Sequence, residues 1–336
     1  MEYLAVEIKE FSETAPVNGT KLAKRVTRDP GAGEVQVKMT LAAVNPSDVF
    51  SLQGIYPRMG RDLPAVPGFD GVGVVTKVGP GVEGFAPGQR VTARPWRADK
   101  GDGSWQQYTT IPANLLVPVP DAVSDEVAAQ FYINPVTVVG LLEETAVPKG
   151  GYLIVTAAGS TLSKMLLSMA KSQGIKTIAV VRRQEQAQEI LAAGADHVVC
   201  STTEDLVARV KEITGGVGAD AAADSVAGPL AEQLGNSLKT GGLVLIYGIM
   251  DGASFTGSAI GVLFNGIVYK GFWMEPWLSG LGPEGQAAVM TKTMDALAAG
   301  AMTPDVGKVY PLERYQEAVE ESAKTARGGK VLIKLN

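Results

Sequence analysis

At 336 residues, with 46% hydrophobic side chains, the chain is longer than one hydrophobic core usually supports, so two domains are expected. The formal charge of -5 argues against nucleic acid or an anionic membrane as the main partner, because either calls for a basic excess. Cys200 is the only cysteine, which excludes an internal disulfide and any zinc site built on several thiolates.

The opening, MEYLAVEIKEF, reads as a strand and not as a charged segment followed by an apolar one. Apolar runs are broken by Gly, Pro or charge well before the roughly 18 residues of a membrane span, and a soluble, cytoplasmic setting is expected. Up to residue 120 the pattern is β-branched alternation with turn punctuation. Strands are predicted over 33–44, 71–79, 88–94 and 114–120, with no long helical period, so this part reads as an all-β, barrel-like domain.

From about residue 150 the texture changes. GGYLIVTAA (150–158) is a buried-strand run, and LSKMLLSMAKSQG (162–174) follows at helical spacing with a terminal Gly. A strand at 176–183 and a helix at 184–194 come next, then the same alternation through 197–201, 204–215, 219–228, 231–242 and 243–250. Such repeats imply an α/β, doubly wound parallel sheet with helices on both faces. A sixth strand is predicted at 266–273, a helix at 283–299, and a strand–helix–strand unit over 307–335.

The turn TAAGSTLSK (156–164) joins the first strand of that sheet to a helix, a place where orphan N–H groups and the helix dipole can face a pyrophosphate. Its fingerprint is incomplete: Gly159 remains, but Ser163 stands where the last glycine is expected. The same small residues would also serve simple helix–strand packing. At the end of the second strand a free ribose 2′-hydroxyl usually meets a carboxylate, but VVRRQ (180–184) offers two arginines instead. Guanidinium groups match a phosphate geometrically, so Arg182 and Arg183 favour NADPH over NADH.

The layout resembles the medium-chain dehydrogenase/reductase superfamily over essentially the whole chain. Zinc-dependent members carry a Cys where this chain has Asn45, and Gly-His-Glu where it has Gly68, Phe69 and Asp70. The four-cysteine lobe is absent, and the one histidine, His197, precedes a strand in the nucleotide half, so no metal is expected. NPSD (45–48), QGIYP (53–57), GDGSW (101–105), NPVT (134–137), YGIM (247–250) and GFW (271–273) resemble the zinc-independent trans-2-enoyl thioester reductases of the mitochondrial type.

That resemblance implies a GroES-like catalytic domain (1–122 and 300–336) and a Rossmann NADPH-binding domain (123–299). It makes Tyr56 the catalytic residue. It puts Asn45, Asn134, Thr137, the turn Gly159, Ser160, Thr161 and Leu162, and the 2′-phosphate set Arg182, Arg183 and Gln184 on the cofactor. Tyr247, Gly248, Ile249 and Met250, with Phe272, Trp273 and Met274, would line the cofactor and substrate cleft, and Lys330 would reach the cofactor. Arg-Arg-Gln stands where the family carries Arg-Asp-Arg. The implied partners are an enoyl thioester, free or on an acyl carrier protein, and a second copy of the chain.

The chemistry asks for little else. Hydride delivered to the β-carbon of an unsaturated thioester pushes charge onto the thioester oxygen, which needs a donor nearby, and the α-carbon then takes a proton. A phenol is neutral at cellular pH and can donate. Two other classes stay open at this point. A quinone or small-enone reductase would use the same cofactor site, and a non-enzymatic binding protein would use none of this chemistry.

Overall fold

The structure, a computed structural model, describes residues 1–56, 62–96, 102–324 and 328–336. Pro57, Gly101 and residues 325–327, all of which enter the motifs above, lie outside the described residues. The chain forms two compact units. The first comprises Met1–Asn134, Thr293–Ala298 and Pro304–Asn336, and the second Pro135–Lys292 and Ala299–Thr303.

In the first unit, β1 (Glu2–Ile8) and β2 (Thr20–Val26) form an antiparallel pair. The main sheet is built from β3 (Glu34–Ala43), followed by helix α1 (Pro46–Gln53), then β4 (Gly71–Val78), β5 (Arg90–Ala93), β6 (Tyr108–Pro112) and β7 (Leu116–Pro118), with α2 (Asp125–Ala128) after it. β3 is the hub: it pairs antiparallel with both β4 and β6. Its Val35, Val37 and Met39 enter a core that also holds Trp96, Trp105 and Ile111. Alternation with one buried face is the pattern that made these strands legible.

Helix α3 (Ile133–Thr145) begins at the end of this segment. In the second unit follow β8 (Tyr152–Val155), α4 (Thr161–Ser172), β9 (Lys176–Val181), α5 (Ala187–Ala192), β10 (His197–Cys200), α6 (Leu206–Ile213), β11 (Ala219–Asp224), α7 (Leu230–Asn236), β12 (Leu238–Ile246), α8 (Ala259–Asn265), β13 (Val268–Gly271), α9 (Met274–Gly280) and α10 (Gly282–Ala298). The six strands run parallel in the order β10-β9-β8-β11-β12-β13. That is the doubly wound order, and its direction reverses between β8 and β11, where such sheets bind ligands beyond their strands' carboxyl ends. β14 (Val306–Pro311), α11 (Tyr315–Ser322) and β15 (Lys330–Lys334) then return to the first unit, where β15 pairs antiparallel with β3 and parallel with β14.

Several elements depart from the sequence expectation. α1 lies inside a stretch read as all-β; it is eight residues long, with Pro46 at its start and Gly54 closing it in the left-handed conformation at φ 75°. Such a helix is too short to show a period. α3 escapes for the opposite reason: from Asn134 to Leu142 every residue is buried, so it carries no polar stripe. The helix expected over 231–242 ends at Asn236, since Leu238 already pairs with Ala219 and opens β12. β12 stops at Ile246, so Tyr247 to Met250 form a loop beyond its carboxyl end.

Candidate active site

Asn45 ends β3's run and caps α1. The carboxylate of Asp48, three residues on, accepts the Asn45 N–H through Oδ2 at 2.7 Å and the Phe69 N–H through Oδ1 at 3.0 Å. The Asn45 amide spans two charges: Nδ2 donates to Asp70 Oδ2 at 2.9 Å, and Oδ1 accepts from Lys330 Nζ at 2.6 Å. Asp70 in turn takes the Tyr132 N–H at 2.7 Å and the Ile133 N–H at 3.2 Å, where a negative charge suits the start of α3. Tyr132 and Ile133 lie in the first unit, whose first segment runs to Asn134.

All four side chains are buried. Burial pushes the Asp48 carboxyl up to about 7, against the pull of the Asn45 and Phe69 N–H groups and of Lys330. Asp70 also lies above its ordinary value, again through burial, with its N–H donors and Lys330 opposing. The loop holding Phe69 and Asp70 is gripped by the GSW triplet: Ser104 Oγ donates to Asp70 O at 2.7 Å, and the Ser104 and Trp105 N–H groups bond to Gly68 O and Pro67 O. Gly68 sits at φ 109°, and a Cβ there would fall 2.3 Å from Ser104 Oγ.

Tyr56 follows the end of α1. Its N–H donates to Phe50 O at 3.2 Å, and its half-buried ring leans on the buried Phe69 ring, centroids 5.0 Å apart and tilted by 54°. The first unit thus gathers Asn45 and Lys330 into one network, and joins it to Tyr56 through Asp48 and Phe69. Asn134, also buried, directly follows Ile133. Asp48 and Asp70 were missed as site residues. The Asn-x-x-Asp spacing resembles a capping box and pointed to Asp48; nothing local pointed to Asp70.

In the second unit the β8–α4 turn is braced by hydroxyls where glycines were expected. Ser160 caps α4 by accepting the Ser163 N–H at 3.1 Å, and Ser163 Oγ donates to Thr156 O at 3.0 Å, drawing the helix onto the strand. Thr156 Oγ1 donates to Asp224 Oδ1 at 2.8 Å and accepts the Ser225 N–H at 2.9 Å. Ala157 holds φ 44°, and a Cβ on exposed Gly159 would fall 2.6 Å from Gln186 Nε2. No acidic residue occupies the first turn of α4, where Thr161 and Leu162 sit. An anion there meets no acidic side chain from the helix itself.

Arg182 and Arg183 extend from the carboxyl end of β9, next to β8, and Gln184 follows; all three are exposed. Neither guanidinium has a partner among the described residues, although the Arg182 carbonyl accepts from Thr202 Oγ1 at 2.9 Å. Tyr247 lies against the turn, its hydroxyl 3.4 Å from Ser163 Oγ, and burial raises its phenol above the ordinary value. Gly248 follows it, and Ile249 and Met250 are exposed. Phe272 and Met274 are buried and Trp273 is exposed; the Phe272 ring rests on Gly140 of α3, three residues after buried Thr137.

Residues 31–121 match the family described as alcohol dehydrogenase GroES-like domain, and residues 161–279 the family described as zinc-binding dehydrogenase. The mitochondrial enoyl-acyl-carrier-protein reductase of Xenopus tropicalis is 30% identical over 305 residues, covering 87% of this chain and 85% of that protein. Quinone oxidoreductase 1 of Escherichia coli (strain K12) is 32% identical over 312 residues, covering 91% and 92%. The chain belongs to the medium-chain dehydrogenase/reductase family. Among solved structures, the Escherichia coli quinone oxidoreductase complexed with NADPH matches with a TM-score of 0.84 at 27% identity, over 99% of this chain and 100% of that one.

As a medium-chain family member the chain is an oxidoreductase. The zinc in one family description does not fit the residues here. Asn45 is bound at both ends of its amide, Phe69 offers a phenyl ring, and Asp70 is occupied by α3. No group of three metal-ligating side chains occurs among the described residues. A dinucleotide does fit: the braced turn, the helix start free of acids and the two unpaired arginines all stand at one end of the parallel sheet.

Proposed function

We propose that the chain is an NADPH-dependent reductase of the C=C bond in trans-2-enoyl thioesters, with Tyr56 as the hydrogen-bond donor to the developing enolate and as proton source or relay. The observation carrying this is Tyr56 itself, anchored at its backbone on Phe50 and at its ring on Phe69, with part of its surface open. A phenol so fixed is preorganised, which is what oxyanion stabilisation requires. Bound NADPH would supply the hydride. Gly159, Ser160, Thr161 and Leu162 would hold its pyrophosphate, and Arg182, Arg183 and Gln184 its 2′-phosphate. Asn134, Thr137, Tyr247 to Met250 and Phe272 to Met274 would take the nicotinamide and acyl ends.

Mitochondrial enoyl reductases among the relatives support this reading. A quinone or small-enone reductase is the second reading, supported by the comparable identity to quinone oxidoreductase 1. The acyl group would arrive on coenzyme A or an acyl carrier protein, in the cytoplasm; no helix among the described residues is long and apolar enough to cross a membrane. Steady-state turnover with NADPH against crotonyl-CoA, a longer enoyl-CoA and a quinone tests the proposal. Faster turnover of an enoyl-CoA is expected; efficient quinone reduction with inert thioesters would transfer the assignment to the second reading.

A further inference from the structure

The buried carboxylate of Asp48 joins two pieces of chain that the sequence keeps apart. Through Oδ2 it holds the start of α1, and through Oδ1 it holds the Phe69 N–H, 21 residues downstream. Tyr56 hangs from the far end of the same helix, because its N–H and that of Ile55 both bond to Phe50 O. Between them, the left-handed Gly54 packs so closely on the Phe11 ring that a Cβ would fall 2.7 Å from it, which fixes the exit of the helix. The ring against which Tyr56 leans is that of Phe69. Asp48 therefore bonds directly to both supports of Tyr56, the start of α1 and the Phe69 backbone, beside the Asn45–Asp70 bond that ties the helix cap to the next residue of the loop. The loop around Phe69 is also held by buried Trp96, Ser104 and Trp105, and Asp48 is the side chain that joins the Phe69 N–H itself to the start of α1.

We infer that Asp48 is a positioning residue, acting on the reaction by placing the Tyr56 ring through Phe69. The inference rests on the proposed role of Tyr56. Asp48 needs two acceptors at once. In Asp48→Asn one of the two N–H groups would face the amide NH2, so either α1 or the Phe69 loop must shift. Small misplacements of a reacting group are costly in turnover and cheap in binding.

The test is a double-mutant cycle with Tyr56→Phe, read with NADPH and crotonyl-CoA. Asp48→Asn is expected to lower kcat about 10- to 50-fold while both Michaelis constants stay within about twofold. In the Tyr56→Phe background the same change is expected to cost less than about twofold, since the group being placed is gone. An equal loss in both backgrounds, or a loss confined to the Michaelis constants, would overturn the inference. Phe69→Leu keeps the backbone bond to Asp48 and removes the ring, so it should reproduce the loss if Asp48→Asn does not fold. Position is also read without turnover: with 15N-labelled Phe and 13C-labelled Tyr, the Phe69 amide and Tyr56 ring signals should both move in Asp48→Asn. Unmoved signals overturn the inference whatever the kinetics. If Tyr56→Phe alone leaves kcat intact while these signals do move, the proposed function fails and the positioning stands.

Discussion

Removing both guanidinium groups at the end of β9 asks which dinucleotide the turn takes. Arg182 and Arg183 are exposed and make no side-chain bonds among the described residues, so Arg182→Ala/Arg183→Ala should leave the melting temperature in place. What it removes is the pair of charges that the proposed 2′-phosphate site would use. Each charge-assisted bond to a phosphate oxygen is worth about 1–2 kcal/mol, so losing both should weaken NADPH binding by about 2–4 kcal/mol, roughly 30- to 1,000-fold in Kd. NADH, lacking the 2′-phosphate, should bind the double variant about as it binds the unaltered protein. The wild-type preference should also shrink with added salt, because both charges are solvated. Calorimetric or fluorescence titration with each nucleotide reads all of this. Equal losses for the two cofactors, or tighter wild-type binding of NADH, would refute the assignment of these arginines and of NADPH.

Tyr56→Phe should keep NADPH affinity and melting temperature, since the ring that packs on Phe69 remains, and lower kcat for crotonyl-CoA by about 10²–10³; an enoyl-CoA rate within about threefold of wild type would remove Tyr56 from catalysis. A quinone can take its proton from water, so quinone turnover in the same variant should hardly change. Asp48 gives a pH signature: with its folded value pushed from 3.8 to about 7, the folded protein keeps a proton that the unfolded chain has released, so this contribution falls as pH rises between those values, by up to about 1.4 kcal/mol per unit. Asp48→Asn abolishes that slope, although Asp70 and Lys330 remain beside it, so the stability gap to wild type should be wider at about pH 5 than at about pH 8; a constant gap in denaturant titrations would contradict it. Finally, β13 forms one edge of the parallel sheet, and α8 beside it exposes Ile260, Leu263 and Phe264 at 70%, 74% and 75%, an apolar edge that proteins usually cover. We propose a homodimer through it, expected as a dimer mass by light scattering at micromolar concentration and as a monomer for Leu263→Asp/Phe264→Asp; a monomeric wild type would refute it.

Legibility in the sequence followed the range of the interaction. The parallel sheet was readable because each strand–helix step is local: a short apolar run, a turn, a helical stripe such as that of α4 with Met165, Leu166 and Met169 inward. The strand at β3 was readable from its alternation alone. α1 and α3 were not, one being too short for a period and the other too buried to have a polar face. At the site the same division holds. The arginines after β9 stood out by residue type and place and the tyrosine after α1 by the motif resemblance around it, whereas the partners of Asp70 lie 25, 62 and 63 residues away and leave no local trace.

The motifs also divide by what they hold. GSW and GFD bind each other, fixing the loop that carries Phe69 and Asp70. NPSD binds that loop through Asp48 and the C-terminal strand through Asn45 and Lys330. These short patterns therefore act as one buried frame of two carboxylates, an amide and an ammonium, and charges buried in this way are destabilising unless every partner is present. That requirement explains why changing a single member should be felt at Tyr56, whose ring rests on Phe69. The carboxylate at Asp48 fixes where the Phe69 ring stands, and the Phe69 ring limits where the phenol can go.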